Sequence, residues 1–222
     1  MDSLSCEGCA VCRLVCPTDA IEMNDDVTGE WFLSRTRFGP MVHAQLGAGG
    51  ENSGALVEKV RRMAARAAEE QGREIILVDA PPGIGCPVIS SLTGADLALA
   101  ITEPTPSGES DLFRVLDLAR HFRIRTAVVV NKADLDPGRT ERLAARVESA
   151  GAPVIARFPY DETVTEALCQ GRILSEHSEV WRERLEGLWN DLADLLDVTP
   201  MKSDSSKMEN DRLRLVAQGD NP

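Results

Sequence analysis

The stretch Thr126-Ala127-Val128-Val129-Val130-Asn131-Lys132-Ala133-Asp134 decides the fold class of this 222-residue chain. Its first five residues form a short, largely β-branched run, which is typical of a strand buried on both faces of a parallel sheet. A polar turn follows, and an amphipathic pattern then predicts a helix over about 137–150. A strand followed by a helix of this length indicates one unit of a parallel α/β sheet.

The same alternation of strand and helix recurs on both sides of this stretch. Further strands are predicted at 75–78, 97–101 and 153–156. Further helices are predicted at about 54–71, 107–121, 161–169 and 178–196. Repeated βαβ units of this size predict an α/β fold with a doubly wound parallel sheet.

Three segments follow from the pattern along the chain. Residues 1–47 hold four closely spaced cysteines and short β-like pieces, which we interpret as a ferredoxin-type module. Residues 48–197 hold the alternating strands and helices of an α/β nucleotide-binding domain. Residues 198–222 are polar and weakly periodic, and we expect a mobile tail there.

The composition excludes several classes of protein. The formal charge of −12 and the isoelectric point near 4.8 disfavour sequence-independent electrostatic binding to nucleic acid or to an anionic membrane. No run approaches the ~18 apolar residues of a membrane span. The residues Met1-Asp2-Ser3-Leu4-Ser5 carry neither the basic nor the apolar region of a secretory signal. We therefore expect a cytoplasmic protein.

The cysteines Cys6, Cys9, Cys12 and Cys16 are followed by Pro17 and have the spacing C-x2-C-x2-C-x3-C-P. This is the bacterial ferredoxin run for a 4Fe-4S cluster, because two-residue spacers let thiolates of one loop reach several irons of one cubane. A structural zinc site is the alternative, but zinc normally uses two separated C-x-x-C pairs. The run therefore predicts an iron–sulfur site.

One such run leaves the ligand count open, because the fourth cysteine usually ligates a second cluster. The remaining ligands come from another chain or an amino-terminal segment, or one cluster is completed locally. Cys86 and Cys169 are local candidates, although a small buried or half-buried thiol is the favoured interpretation of each.

A second candidate site follows the predicted strand Ile75–Val78. Asp79 ends this strand, and Ala80-Pro81-Pro82-Gly83 forms a stiff turn after it. A carboxylate at the carboxyl end of a parallel strand can hold Mg²⁺ through water, and Gly83 lets the backbone approach a phosphate. An ordinary turn with a capping aspartate is the alternative.

Together, several motifs resemble the carboxyl-terminal two-thirds of a MinD/ParA-type P-loop ATPase with an inserted ferredoxin domain, over about residues 5–196. The motifs are the cysteine run, Asp79-Ala80-Pro81-Pro82-Gly83-Ile84-Gly85-Cys86-Pro87, Thr102-Glu103-Pro104-Thr105, Asn131-Lys132 and Phe158-Pro159-Tyr160-Asp161.

This resemblance implies roles for four residues and a cofactor. It makes Asp79 the catalytic Walker B aspartate and Gly83 part of switch II, and it places Asn131 and Asp161 beside a nucleotide base. The implied cofactors are ATP and Mg²⁺. The motif Asn131-Lys132-Ala133-Asp134 also spells the guanine-specific N-K-x-D, so GTP stays an alternative, as does a helix-capping role for Asp134.

The chain departs from the family at its defining element. No G-x-x-x-x-G-K-[ST] loop is present, and the glycine-rich stretch 47–54 has no lysine. We therefore expect this chain alone to be inactive as an ATPase. A separate amino-terminal half or a homodimer would complete the nucleotide site.

The sequence predicts a 4Fe-4S protein that forms part of an ATP-gated electron-transfer or cluster-carrier system. Its partners would be a redox protein or a cluster acceptor. A plain ferredoxin-like module with a non-functional ATPase part is the alternative, and a zinc-stabilised interaction protein is a more distant one.

Overall fold

A computed structural model describes residues 9–24, 29–47 and 54–198, together with the backbone of 214–215. The described chain forms two compact units, one reaching to Ser91 and including 214–215, the other starting at Leu92. The three predicted segments, with boundaries at 47/48 and 197/198, remain a prediction. Each unit is described separately below.

The first unit contains a small antiparallel sheet and three helices. Its elements are α1 (Val11–Leu14), β1 (Gly29–Thr36), β2 (Gly39–Leu46), α2 (Ala55–Glu70) and α3 (Cys86–Leu92), whose last residue falls in the second unit. The strands β1 and β2 pair along their whole length around the turn at 37–38. On its other edge β1 pairs with β6 (Arg214–Leu215), and the rest of the predicted tail from 199 onward lies outside the described residues.

Close packing at the start of α2 joins it to α3. Gly54 precedes α2 with a φ of 91°, and a Cβ atom there would lie 2.6 Å from the Ser90 hydroxyl and 2.9 Å from the Cys86 carbonyl oxygen. The Arg61 guanidinium donates a hydrogen bond of 2.7 Å to the Ser90 carbonyl oxygen. Glycine is therefore required at residue 54 both by its backbone conformation and by the approach of α3.

The prediction of a buried strand at Ile75–Val78 is wrong for the structure as described. The segment forms no strand, and its side chains are 39%, 46%, 93% and 38% exposed in chain order. No hydrogen bond joins residues 74–84 to another described residue. A strand exists only where a neighbour pairs with its backbone groups, and no described segment supplies that neighbour.

The second unit contains the predicted parallel sheet in a smaller form. Its elements are β3 (Leu97–Thr102), α4 (Pro106–His121), β4 (Arg125–Val130), α5 (Pro137–Ser149), β5 (Val154–Arg157), α6 (Glu162–Cys169), α7 (Leu174–His177) and α8 (Glu179–Leu196). The strand order is β3-β4-β5, all parallel. The mixed α/β class is therefore confirmed; the described residues form three parallel strands, and a doubly wound sheet remains a prediction.

The core of the second unit is built on β4. Val128 and Val130 are fully buried, and they pack with Leu143 and Val147 of α5 and with Leu116 of α4. The apolar run of β4 thus meets helix side chains, as its lack of polar alternation predicts. Among the described residues, no helix is both long enough and apolar enough to cross a membrane.

The exposed apolar segment predicts self-association of the isolated chain. We expect Leu77→Asp to weaken it by roughly tenfold or more, because an aspartate replaces a leucine whose burial is worth about 1.5–3 kcal/mol. Leu168→Asp is the matched control, since Leu168 of α6 is 73% exposed and lies outside the segment. Sedimentation velocity at several protein concentrations measures the effect. A monomeric wild-type protein, or equal changes in both variants, would contradict the prediction.

Candidate metal centre

Three of the four clustered cysteines lie around the short helix α1. Cys9 precedes the helix and is exposed, Cys12 lies within it, and Cys16 follows it; the latter two are partly buried. All three are free thiols. Cys6, the first predicted ligand, lies outside the described residues.

The Cys16 sulfur has the most developed surroundings. The Ala20 amide donates a hydrogen bond of 3.3 Å to Sγ, and the Thr18 hydroxyl oxygen lies 3.6 Å from the same atom. The Thr18 hydroxyl, followed by the amides of Ala20, Thr18 and Asp19, lowers the pKa of the Cys16 thiol. The loop therefore favours the thiolate, which is the form that binds metals.

The backbone of the loop explains this convergence of donors. Asp19 has a φ of 49°, in the left-handed region, and its amide donates a 3.4 Å hydrogen bond to the Cys16 carbonyl oxygen, while the next amide, that of Ala20, reaches Cys16 Sγ. Backbone amides turned in this way toward one atom are a general anion-binding device. In this loop the bound group is the sulfur of the chain's own Cys16.

The donor chemistry fits an iron–sulfur cluster at Cys16. A cluster sulfur ligand must be a thiolate, and the loop stabilises that form with one hydroxyl and several amides. Within the described ranges, no three cysteine, histidine, aspartate or glutamate side chains converge on one point. Cys86 and Cys169 are both exposed, which corrects the expectation of buried or half-buried thiols, and neither joins such a group.

The predicted phosphate residues lie in the first unit, directly after the exposed segment 75–78. Asp79 and Gly83 follow Val78 in an irregular stretch. The prediction that Asp79 ends a paired strand is therefore wrong for the structure as described. Gly83 has a φ of 94°, and a Cβ atom added there would meet nothing within 4 Å. The glycine is needed for its backbone conformation, and the space beside it is open.

The predicted base-contacting residues lie in the second unit, just beyond the parallel strands. Asn131 follows β4, and its amide donates a 2.7 Å hydrogen bond to the Thr102 carbonyl oxygen at the end of β3. The Asp134 carboxylate accepts a 2.7 Å hydrogen bond from the Tyr160 amide. Asp134 therefore does not cap α5; Asp136 does, by accepting from the Arg139 amide.

Asp161 has a structural environment in this unit. It caps α6 by accepting a 3.0 Å hydrogen bond from the Thr163 amide, and it accepts another of 2.9 Å from the Trp181 indole N–H. These bonds, led by those from Thr163 and joined by the nearby charge of Arg184, lower the pKa of the Asp161 carboxyl. Asp161 thereby ties the loop after β5 to α8.

Sequence reasoning missed two features of these sites. The first is the Thr18 hydroxyl at the Cys16 sulfur, which cysteine spacing does not reveal. The second is the ion pair between Lys132 and Glu103, 2.6 Å apart. Lys132 has a left-handed φ of 51°, which turns the chain directly after Asn131.

Comparison with known proteins supports the interpretation of the cysteine run. Residues 1–22 match the 4Fe-4S binding domain. The match covers the segment that contains all four clustered cysteines. The amino-terminal part of this chain is therefore a 4Fe-4S binding segment of ferredoxin type.

Two similar proteins come from Methanocaldococcus jannaschii, and both are uncharacterized. The protein MJ0578 is 34% identical over 97 residues, which make up 44% of this chain and 34% of that protein. The protein MJ0579 is 23% identical over 188 residues, which make up 83% of this chain and 61% of that protein. The chain thus spans between about a third and three fifths of these curated relatives.

The lowered pKa of Asp161 predicts a pH-dependent contribution to stability. A depressed folded-state pKa adds stability above the unfolded-state value of about 3.9, and this contribution is lost as the pH falls through the lower folded-state pKa. We expect Asp161→Ala to lower the free energy of unfolding at neutral pH, and the difference from wild type to narrow at about pH 3. Urea unfolding at several pH values measures it.

Asp191→Ala is the control for this experiment, because Asp191 is an exposed residue of α8 whose side chain has no hydrogen bond or ion pair with another described residue. It should leave the free energy of unfolding nearly unchanged at every pH. If the difference in free energy of unfolding between Asp161→Ala and wild type stays constant from neutral to acidic pH, the lowered pKa of the Asp161 carboxyl is contradicted.

Proposed function

We propose that this chain is an electron-transfer or cluster-carrier protein whose 4Fe-4S cluster chemistry uses Cys6, Cys9, Cys12 and Cys16. The observation that carries the proposal is the coincidence of the ferredoxin-type spacing with the match over residues 1–22. The thiolate-stabilising loop at Cys16 supports it further. Such thiolates suit a reducing compartment such as the cytoplasm.

The exposure of the cysteine segment favours exchange with another protein. Cys9 is exposed and Cys12 is only partly buried, and neighbouring Leu14 and Val15 are 83% and 72% exposed. A cluster held there would lie near the protein surface. A redox partner or a cluster acceptor could therefore approach it closely, as either transfer requires.

The proposal predicts that anaerobically purified protein is brown and contains iron and acid-labile sulfide. Cys9→Ser should lose most of both, because a ligand in the middle of the loop has no substitute. Cys169→Ser is the matched control and should retain them, since Cys169 ends α6 in the other unit. Metal and sulfide analysis decides the question, and stoichiometric zinc without sulfide would favour the zinc alternative.

We further propose that the α/β part belongs to a nucleotide-gated system that uses ATP and Mg²⁺, as the resemblance to MinD/ParA-type ATPases implies. Asn131 lies at the carboxyl end of β4, and Asp134 and Tyr160 meet beside it, which is where open α/β sheets bind ligands. Asp161 lies in the loop after β5 as the N-cap residue of α6. These positions support roles near a base, with GTP as the alternative nucleotide.

The proposed gating requires a phosphate-binding loop and a further strand, supplied by a second polypeptide or by an amino-terminal segment of the same one. The exposed segment 75–78 supports this proposal, because its four apolar residues are between 38% and 93% exposed and no described strand pairs with them. A separate α/β half or a second copy of this chain would supply that cover. The greater length of both relatives is consistent with such a half.

The nucleotide proposal predicts that the isolated chain does not hydrolyse ATP or GTP measurably. Without a loop lysine, the charge of the β- and γ-phosphates is poorly neutralised, even with a metal at Asp79. Phosphate release by purified chain, by Asp79→Ala and by the control Asp96→Ala is the measurement. Turnover that is lost only in Asp79→Ala would show that the chain carries a complete phosphate site of its own.

A further inference from the structure

The loop after Cys16 places a side-chain hydroxyl, that of Thr18, within hydrogen-bond distance of the sulfur. The Thr18 hydroxyl oxygen lies 3.6 Å from Sγ, and the Ala20 amide nitrogen lies 3.3 Å from the same atom. We propose that Thr18 tunes the reduction potential of the cluster bound through Cys16 by donating this hydrogen bond. The inference rests on the proposed iron–sulfur function.

The direction of the hydrogen bond follows from the chemistry of the ligand. A metal-bound thiolate carries no proton, so the Thr18 hydroxyl must donate and the Cys16 sulfur must accept. Adding one electron to a cluster increases the negative charge on its sulfur ligands. A donor at the sulfur therefore stabilises the reduced state more than the oxidised state and raises the reduction potential.

Thr18 is separable from the other donors around the sulfur. The amides of Thr18, Asp19 and Ala20 belong to the backbone, so a substitution of the Thr18 side chain does not remove them. Pro17 contributes no N–H group. Thr18 itself is exposed, so a valine of the same shape fits there without displacing a neighbour.

Three variants of the full chain test the proposal after anaerobic cluster reconstitution. Thr18→Val removes the hydroxyl and keeps the branched shape, while Thr18→Ser keeps the hydroxyl and removes the methyl group. Cys16→Ser removes the sulfur. Dithionite titration followed by electron paramagnetic resonance gives the midpoint potential, and iron and sulfide per chain give the cluster content.

We expect Thr18→Val to hold as much iron and sulfide as wild type but to have a more negative midpoint potential. Thr18→Ser should keep the wild-type potential. Equal potentials in wild type and Thr18→Val at equal cluster content would overturn the proposal, and so would a Cys16→Ser variant with unchanged potential and content. Absence of iron and sulfide from the wild-type protein would instead overturn the proposed function itself.

Discussion

A strand that is apolar on both faces is stable only with a neighbour at each edge and a layer on each face, and β4 meets this requirement. Its backbone pairs with β3 on one side and β5 on the other. Val128 and Val130 are wholly buried against α4 and α5. Because β4 is held in this way, the loop that begins at Asn131 has a fixed place beside the ends of the neighbouring strands.

The segment Ile75–Val78 has the same kind of sequence without the same surroundings. Its apolar residues lack both a paired neighbour and a cover, and Leu77 is almost fully exposed. The contrast with β4 shows that an apolar, β-favouring sequence forms a strand only where neighbouring strands pair with it and helices cover it. Because the segment lacks these neighbours, no described residues form a phosphate-binding site around Asp79 and Gly83.

Much of the fold was predictable from local pattern, and the failures have physical causes. The helices around 55–70 and 106–121 and the strands near 97–102 and 125–130 follow from their hydrophobic periodicity. The strand at 75–78 was wrong because hydrophobic pattern does not tell whether a neighbouring strand is present. The alternative that Asp134 caps α5 is wrong, because Asp136 is the N-cap and stands directly before Pro137, a favoured first residue of a helix.

The metal centre was predictable to a different degree. Cysteine spacing alone indicates the type of cluster, because four cysteines within eleven residues, at this spacing, are typical of 4Fe-4S ligation. Spacing does not reveal which donors surround each sulfur, since that depends on the left-handed turn at Asp19 and on the rotamer of Thr18. The ligand set also depends on whether a second chain contributes sulfur.

Native mass spectrometry of the anaerobically isolated protein tests the central claim most directly, because it weighs the bound inorganic group and counts the chains that share it. The account predicts an added mass of four iron and four sulfide ions, carried by one chain or shared between chains. A species whose only added mass is that of one zinc ion per chain would contradict it.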